Sequence, residues 1–228
     1  MALFRIERHQ KALVFTITGL YLLLAALFFT PADIPHKLCF PVGLLAIASL
    51  WLTSWEITLA LTFSALGDLA GSYGNFPVQM GSFAIAHILY IVFFIRRYFS
   101  KVEHDRKLTT KAKSYLCMIS FCIAALLSIF FLKIVPCVPG GPLRIGVCIY
   151  GLFISTMLLS ALLQRSSLYA LGSVLFVFSD FILAWNKFVE PIPGHDIYIL
   201  STYFLAQWLI FIRATPYRIS HPIRLMRF

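Results

Sequence analysis

Two carboxylates stand where carboxylates are costly. Asp68 interrupts the apolar run 58–71, and Asp180 interrupts the apolar run 168–186. An acid inside the hydrocarbon core of a bilayer costs about 2.5–3.5 kcal/mol on insertion scales, so it reads first as a functional group. The surroundings match: Phe63-Ser64-Ala65-Leu66-Gly67-Asp68-Leu69 and Leu175-Phe176-Val177-Phe178-Ser179-Asp180-Phe181 each put a small residue directly before the acid in a Phe/Leu-rich stretch. Paired carboxyls in a low-dielectric pocket suit acid–anion chemistry. One serves as proton donor; the other stabilises a developing cation or activates water. The sequence does not assign the two roles.

Other polar groups fall on or at the ends of the apolar stretches, His87 near the midplane of its own. His87 and Tyr90 share a helical face at i, i+3, and Ser64 lies one turn before Asp68. Gln207 sits midway along the last apolar run, Lys37 opens the second, and Asn186 and Lys187 close the seventh. Each has a plainer reading: Asp68 as a cap or paired with Lys37 to hold helices together, His87 bonded to a neighbouring carboxylate or carbonyl, Tyr90 and Gln207 as packing or interhelical hydrogen-bond residues. Glu56 stands near a helix N-terminus, where an acid suits the macrodipole. A metal is not expected, because zinc hydrolysis needs three His or carboxylate ligands. His9, His36, His104, His195 and His221 fall in tails or loops, and phosphate-loop, dinucleotide and serine-elbow patterns are absent.

The chain that must position these groups is 60% hydrophobic and 12% charged, with mean hydropathy +0.87. Soluble domains carry about 25% charged residues, so this is an integral membrane composition. The expected fold is all-α, a single polytopic domain over 1–228. Eight spanning helices are predicted at 12–30, 37–53, 55–72, 76–98, 113–135, 142–164, 167–186 and 197–214, each near the 17–25 residues a span needs, as about that length crosses the core. Most prolines mark boundaries; Pro41 falls inside the second helix and is a candidate kink. Arg5, Arg8 and Lys11 precede the first run, but it is too long for a signal-peptide core, so a retained helix is expected.

The net charge of +10 does not point to nucleic acid, because the cations lie in short loops and tails. With an even helix count, fifteen of the 19 Lys and Arg fall on one side and only Lys37, Lys133, Arg144 and Lys187 on the other, which places both termini in the cytoplasm. The segment Ser100–Lys113 reads as a solvated cytoplasmic linker. Asp68 and Asp180 are 112 residues apart on helices of the same direction, which suggests two four-helix halves related by a parallel repeat. Asp68 would lie roughly 6 Å and Asp180 roughly 9 Å below the outer ends of their helices, counting 1.5 Å per residue. Cys39, Cys117, Cys122, Cys137 and Cys148 show no metal spacing and read as free thiols, with a Cys137–Cys148 disulfide as the alternative.

Leu66-Gly67-Asp68-Leu69, then Phe76, then Gly81-Ser82-Phe83-Ala84-Ile85-Ala86-His87-Ile88-Leu89-Tyr90 resembles the central signature of the YhhN family, the membrane family that contains the animal transmembrane lysoplasmalogenases. The later Gly172-Ser173-Val174-Leu175-Phe176-Val177-Phe178-Ser179-Asp180 resembles its second signature, and Lys37 resembles its lysine near the start of the second helix. The family more often has Pro directly after that Lys. The resemblance runs from about residue 13 to 214. It implies an eight-helix fold and hydrolysis of the vinyl ether bond of lysoplasmalogens to a fatty aldehyde and glycerophosphoethanolamine or glycerophosphocholine, with Asp68 and Asp180 as the catalytic pair. His87 would orient a carboxyl or shuttle a proton; Lys37 and Lys187 would hold the phosphate. No cofactor is expected. The partners are a lysophospholipid and membrane lipids, in a bacterial inner membrane or the endoplasmic reticulum, with the oligomeric state open. The competing class is a transporter or lipid-binding protein that couples protons or a cation to the acids, and a third reading is a member without activity. A closed-ended cavity with both carboxyls within about 6 Å, the spacing of retaining glycosidases, favours hydrolysis; a path through the bilayer favours transport.

Overall fold

A computed structural model describes the backbone of residues 2–102 and 110–220 and the side chains of 12–100, 114 and 117–215. Among the described residues the chain forms eight α-helices: α1 (Ala2–Phe28), α2 (Phe40–Leu52), α3 (Trp55–Ser72), α4 (Phe76–Val102), α5 (Thr110–Ile129), α6 (Pro142–Leu162), α7 (Ser167–Phe188) and α8 (His195–Ser220). Apolar stretches within α4, α6, α7 and α8, and the stretch Cys117–Cys137 that begins in α5, are long and apolar enough to cross a membrane. Ala12–Phe28 and Lys37–Leu52 are shorter apolar segments, and α3 carries both Glu56 and Asp68 in 18 residues.

Three expected boundaries move for identifiable reasons. Pro41 is the second residue of α2, after a 3₁₀ turn at Lys37–Cys39. There its missing N–H breaks no helical bond, so it starts the helix instead of kinking it. The fifth helix is not α-helical to residue 135. It rewinds as a π turn over Phe130–Ile134 and a 3₁₀ turn over Val135–Cys137. Pro136 cannot donate to the carbonyl four residues back, and its ring crowds that carbonyl, so regular winding fails just before it. The Ser100–Lys113 linker is shorter than expected, since α4 continues to Val102 and α5 begins at Thr110; residues 103–109 lie outside the described residues. All five cysteines are free thiols, which removes the Cys137–Cys148 alternative.

Apolar helices carry their hydroxyls by turning them back on their own backbone. Thr62 bonds Thr58 O at 2.8 Å, Thr156 bonds Leu152 O at 2.8 Å and Ser173 bonds Tyr169 O at 2.7 Å, so none faces lipid unsatisfied. Glu56, buried in the first turn of α3, is neutralised by Arg96 of α4, whose guanidinium also lies over the Trp55 ring.

The most extensive packing is within two antiparallel hairpins, α3–α4 and α7–α8. The first closes on Gly74, whose φ of 71° lets the Asn75 N–H reach Ala70 O at 2.9 Å and end α3. The two hairpins are flanked alike. Helix α2 packs on α3 and on α8, and α6 packs on α7 and on α4; α1 lies outside α2 as α5 lies outside α6. The main core runs between the hairpins, through Leu61, Phe83, Phe93, Phe176, Phe204 and Ile210. A smaller one, around Ile134, Val138 and Val147, holds the end of the fifth helical stretch to α6 and α7, and Arg144 fastens it by donating Nε and Nη2 to Val138 O at 2.9 and 2.6 Å.

Candidate active site

The end of the bundle formed by the α3–α4 and α7–α8 turns opens into a cleft of about 480 Å³. Asp68 from α3 and Asp180 from α7 both line it, with Gln79 and Phe83 of α4, Ser179, Asn186 and Lys187 of α7, and His195, Asp196 and Tyr203 of α8. Asp180 stands eight residues, roughly 12 Å, before the end of α7, deeper than expected because that helix runs on to Phe188. The two aspartate helices are not a principal packing pair. Their carboxyls reach one cleft from opposite hairpins, with Phe83 and Tyr203, also in its lining, stacked edge-to-face at 5.7 Å.

Each aspartate is met by a group from the other hairpin. Asp68, 2% exposed, accepts a hydrogen bond on Oδ2 from Tyr203 Oη of α8 at 2.9 Å. Asp180, 9% exposed, has Nε2 of His87 of α4 at 3.9 Å from its Oδ2, and that oxygen also accepts a hydrogen bond from Tyr150 Oη of α6. His87 is fully buried, and its Nδ1 lies 2.7 Å from Phe83 O. A carbonyl only accepts, so Nδ1 carries a proton and Nε2 is the nitrogen turned to Asp180. The ring is clamped edge-to-face against Tyr150 and Phe176, with centroids at 5.3 and 4.8 Å.

The remaining residues singled out in the sequence divide into two groups. Lys187 and Asn186 are in the cleft lining; Lys187 Nζ lies 4.7 Å from the Phe76 ring, and Asn186 Oδ1 accepts the Ile192 N–H at 2.8 Å. Ser64, Tyr90 and Gln207 are fully buried and lie outside that lining: Tyr90 donates to Gln207 Oε1 at 2.6 Å, one turn along α8 from Tyr203. Lys37 is outside the lining as well. Its ammonium donates to Thr30 O at 2.9 Å and Ala32 O at 2.8 Å and sits over Phe28, capping the exit of α1 and making no ion pair with Asp68.

Sequence reasoning missed Tyr150, Tyr203, Gln79 and the His195–Asp196 pair at the rim, whose Nε2 and Oδ1 are 3.2 Å apart. Tyr203 had a signal, four residues before Gln207 on one helical face. Tyr150 had none, since its partner is on another helix. Among the described residues no group of three His, Cys, Asp or Glu is placed to hold a metal.

Eight helices, five of them spanning by length and composition, around a cleft that holds two buried acids define a polytopic membrane protein with an internal polar site. The chain belongs to the YhhN family, which it matches over residues 10–214, and it is an integral membrane protein. It is 34% identical over 179 residues to the lysoplasmalogenase TMEM86B of Rattus norvegicus, covering 78% of this chain and 69% of that one. It is 32% identical over 183 residues to the Homo sapiens protein of the same name, covering 77% and 73%. No solved structure matches it.

Proposed function

We propose that this protein hydrolyses the vinyl ether bond of lysoplasmalogens, the ethanolamine and choline forms, to a fatty aldehyde and the glycerophospho-alcohol. The observation that carries this is the convergence of Asp68 and Asp180 on one cleft, in a chain similar over most of its length to proteins named lysoplasmalogenases. One carboxylic acid delivers its proton to the β-carbon of the vinyl ether. The alkene electrons form the new C–H bond, and an ether-oxygen lone pair makes the α-carbon an oxocarbenium. The second carboxyl, ionised, lies against that cation. Water adds to the α-carbon and returns a proton to the first carboxylate. The hemiacetal then loses its hydroxyl proton as the carbon–glyceryl oxygen bond breaks, and the glyceryl oxygen takes up a proton.

The side chains suit these steps. Tyr203 and Tyr150 each engage Oδ2 of an aspartate, which fixes the carboxyl plane and leaves Oδ1 for the reaction. His87 backs Asp180 through Nε2. Lys187 at the rim offers the phosphate a cation. In the membrane, all eight helices span and both termini lie in the cytoplasm, so the cleft opens on the outer face; the matched flanking of the hairpins supports two related halves. The rings of Phe83, Phe176 and Tyr203 stack edge-to-face beside the acids.

Purified protein given lysoplasmenylethanolamine should release aldehyde, and Asp68→Asn or Asp180→Asn should lower kcat by about 10²–10⁴-fold, the range that positioned acid–base groups contribute. Absence of aldehyde with the wild type would sink the reading. Full activity in both variants would sink the mechanism.

A further inference from the structure

Asp180 lines a second space as well. A narrow channel, about 50 Å³ of open room, runs between α4, α5, α6 and α7 and shares Phe76, Gln79, Phe83, Asp180 and Leu183 with the cleft. Apart from Gln79, Tyr150, Ser155 and Asp180 its lining is apolar. By helix direction its far end, away from the cleft, is at Leu126, Ile154 and Val177. We propose that this channel is the site of the substrate's alkenyl chain, with the headgroup in the cleft and the ether at the junction beside Asp180. The proposal rests on the vinyl ether reading and extends it to the hydrocarbon.

Three observations fix the occupant. The channel is almost wholly apolar where the cleft is mixed, with charged groups in its lining, and the two meet at an acid, so one amphipathic molecule with its reactive bond between head and tail fits both. The channel is also bounded by the helix best able to yield. Only 17% of the apolar stretch Cys117–Cys137 is buried, against 56% for that of α8, and its last turns are π and 3₁₀. A chain sliding in from the lipid therefore has to part only α5 from the bundle. Finally, α6 has a glycine facing the π turn: a Cβ on Gly151 would come within 2.6 Å of the Phe130 ring. The missing side chain lets that ring lie against α6, where it forms part of the channel wall.

The test uses two readouts. In the first, the wild-type protein in lipid vesicles is irradiated with an alkyl lysophospholipid, a saturated ether that cannot be hydrolysed this way, carrying a diazirine at the chain terminus. Labelled peptides should contain Leu126 or Ile154; label confined to peptides outside α4–α7 overturns the proposal. In the second, Ile154→Trp plugs the far end. Its kcat/KM ratio for long-chain against short-chain lysoplasmenylethanolamine should fall roughly tenfold, the scale at which pocket volume discriminates single methylenes. An equal change for both chain lengths overturns it. The labelling does not require turnover: a wild type that releases no aldehyde but labels at Ile154 loses the reaction and keeps the channel.

Discussion

Asp68 and Asp180 stand on two hairpins that pack in matching ways, yet their surroundings differ. Asp68 is nearly sealed, held by Tyr203, and the polar residues around it (Ser64, Tyr90 and Gln207) continue inward as a buried column. Asp180 is more open, held by Tyr150 and backed by His87, and it borders both the wet cleft and the apolar channel. Two hairpins flanked alike supply the two acids, and their neighbours make them unlike. Two identical carboxyls would compete for one role; an acid–anion mechanism needs two different ones.

The comparison is broken most severely at the tyrosines. If each hydroxyl holds its aspartate in the reactive plane, Tyr150→Phe and Tyr203→Phe should each lower kcat by about ten- to a hundredfold. That follows from the 1.5–3 kcal/mol of a hydrogen bond to a charged group. Thermal unfolding should change little in comparison. Steady-state aldehyde release checks both. A loss in one variant alone would show that only one hairpin's acid needs a fixed carboxyl; no loss in either would remove the tyrosines from the site.

The hairpins also differ in how closely their helices approach. A Cβ on Gly172 of α7 would meet Ala206 O at 3.2 Å and Ile210 Cγ1 at 3.0 Å, so backbone would have to move. A Cβ on Gly67 of α3 meets only the Phe83 ring, at 3.2 Å. Gly172→Ala should therefore cost stability, about 1–3 kcal/mol as overpacking does, seen as a lower Tm with activity per folded molecule retained. Gly67→Ala should do the reverse, shifting a ring that lines the cleft and lowering activity more than Tm. Equal losses of Tm would mean that the hairpins close on equally rigid contacts.

The sequence was most legible where one strong energetic rule acted alone. Hydropathy found all eight helices, and the cost of an acid in lipid picked out Asp68 and Asp180, because both signals are local. Pro41 was misjudged since a proline's effect depends on its distance from the helix start, and the 3₁₀ turn that sets that distance carries no hydropathy mark. The π turn was missed for a related reason: Pro136 was read as a boundary, and a boundary proline also disturbs the turn before it. Tyr150 was illegible because it acts across helices, where only packing decides which residues meet. Lys37 was overread. Its charge and place at a helix start fitted a phosphate site, while the Thr30 and Ala32 carbonyls in the turn after α1, to which it donates, are invisible in the chain.

Lys187 and Lys37 give the smallest and last contrast. Lys187 is exposed in the cleft lining of the α7–α8 hairpin, whereas Lys37 is tied to backbone carbonyls beside the α3–α4 hairpin. If the phosphate sits at the Asp180 end of the cleft, Lys187→Ala should raise KM with kcat unchanged. An exposed ion pair contributes about 0.2–1 kcal/mol, so the rise should be about 1.4- to fivefold and should fade as salt screens it. Lys37→Ala should leave KM alone and lower Tm through the loss of two hydrogen bonds. The reverse pattern would seat the headgroup at the α1–α2 side, turn the substrate end for end, and place its chain over Asp68 and the polar column of Ser64, Tyr90 and Gln207.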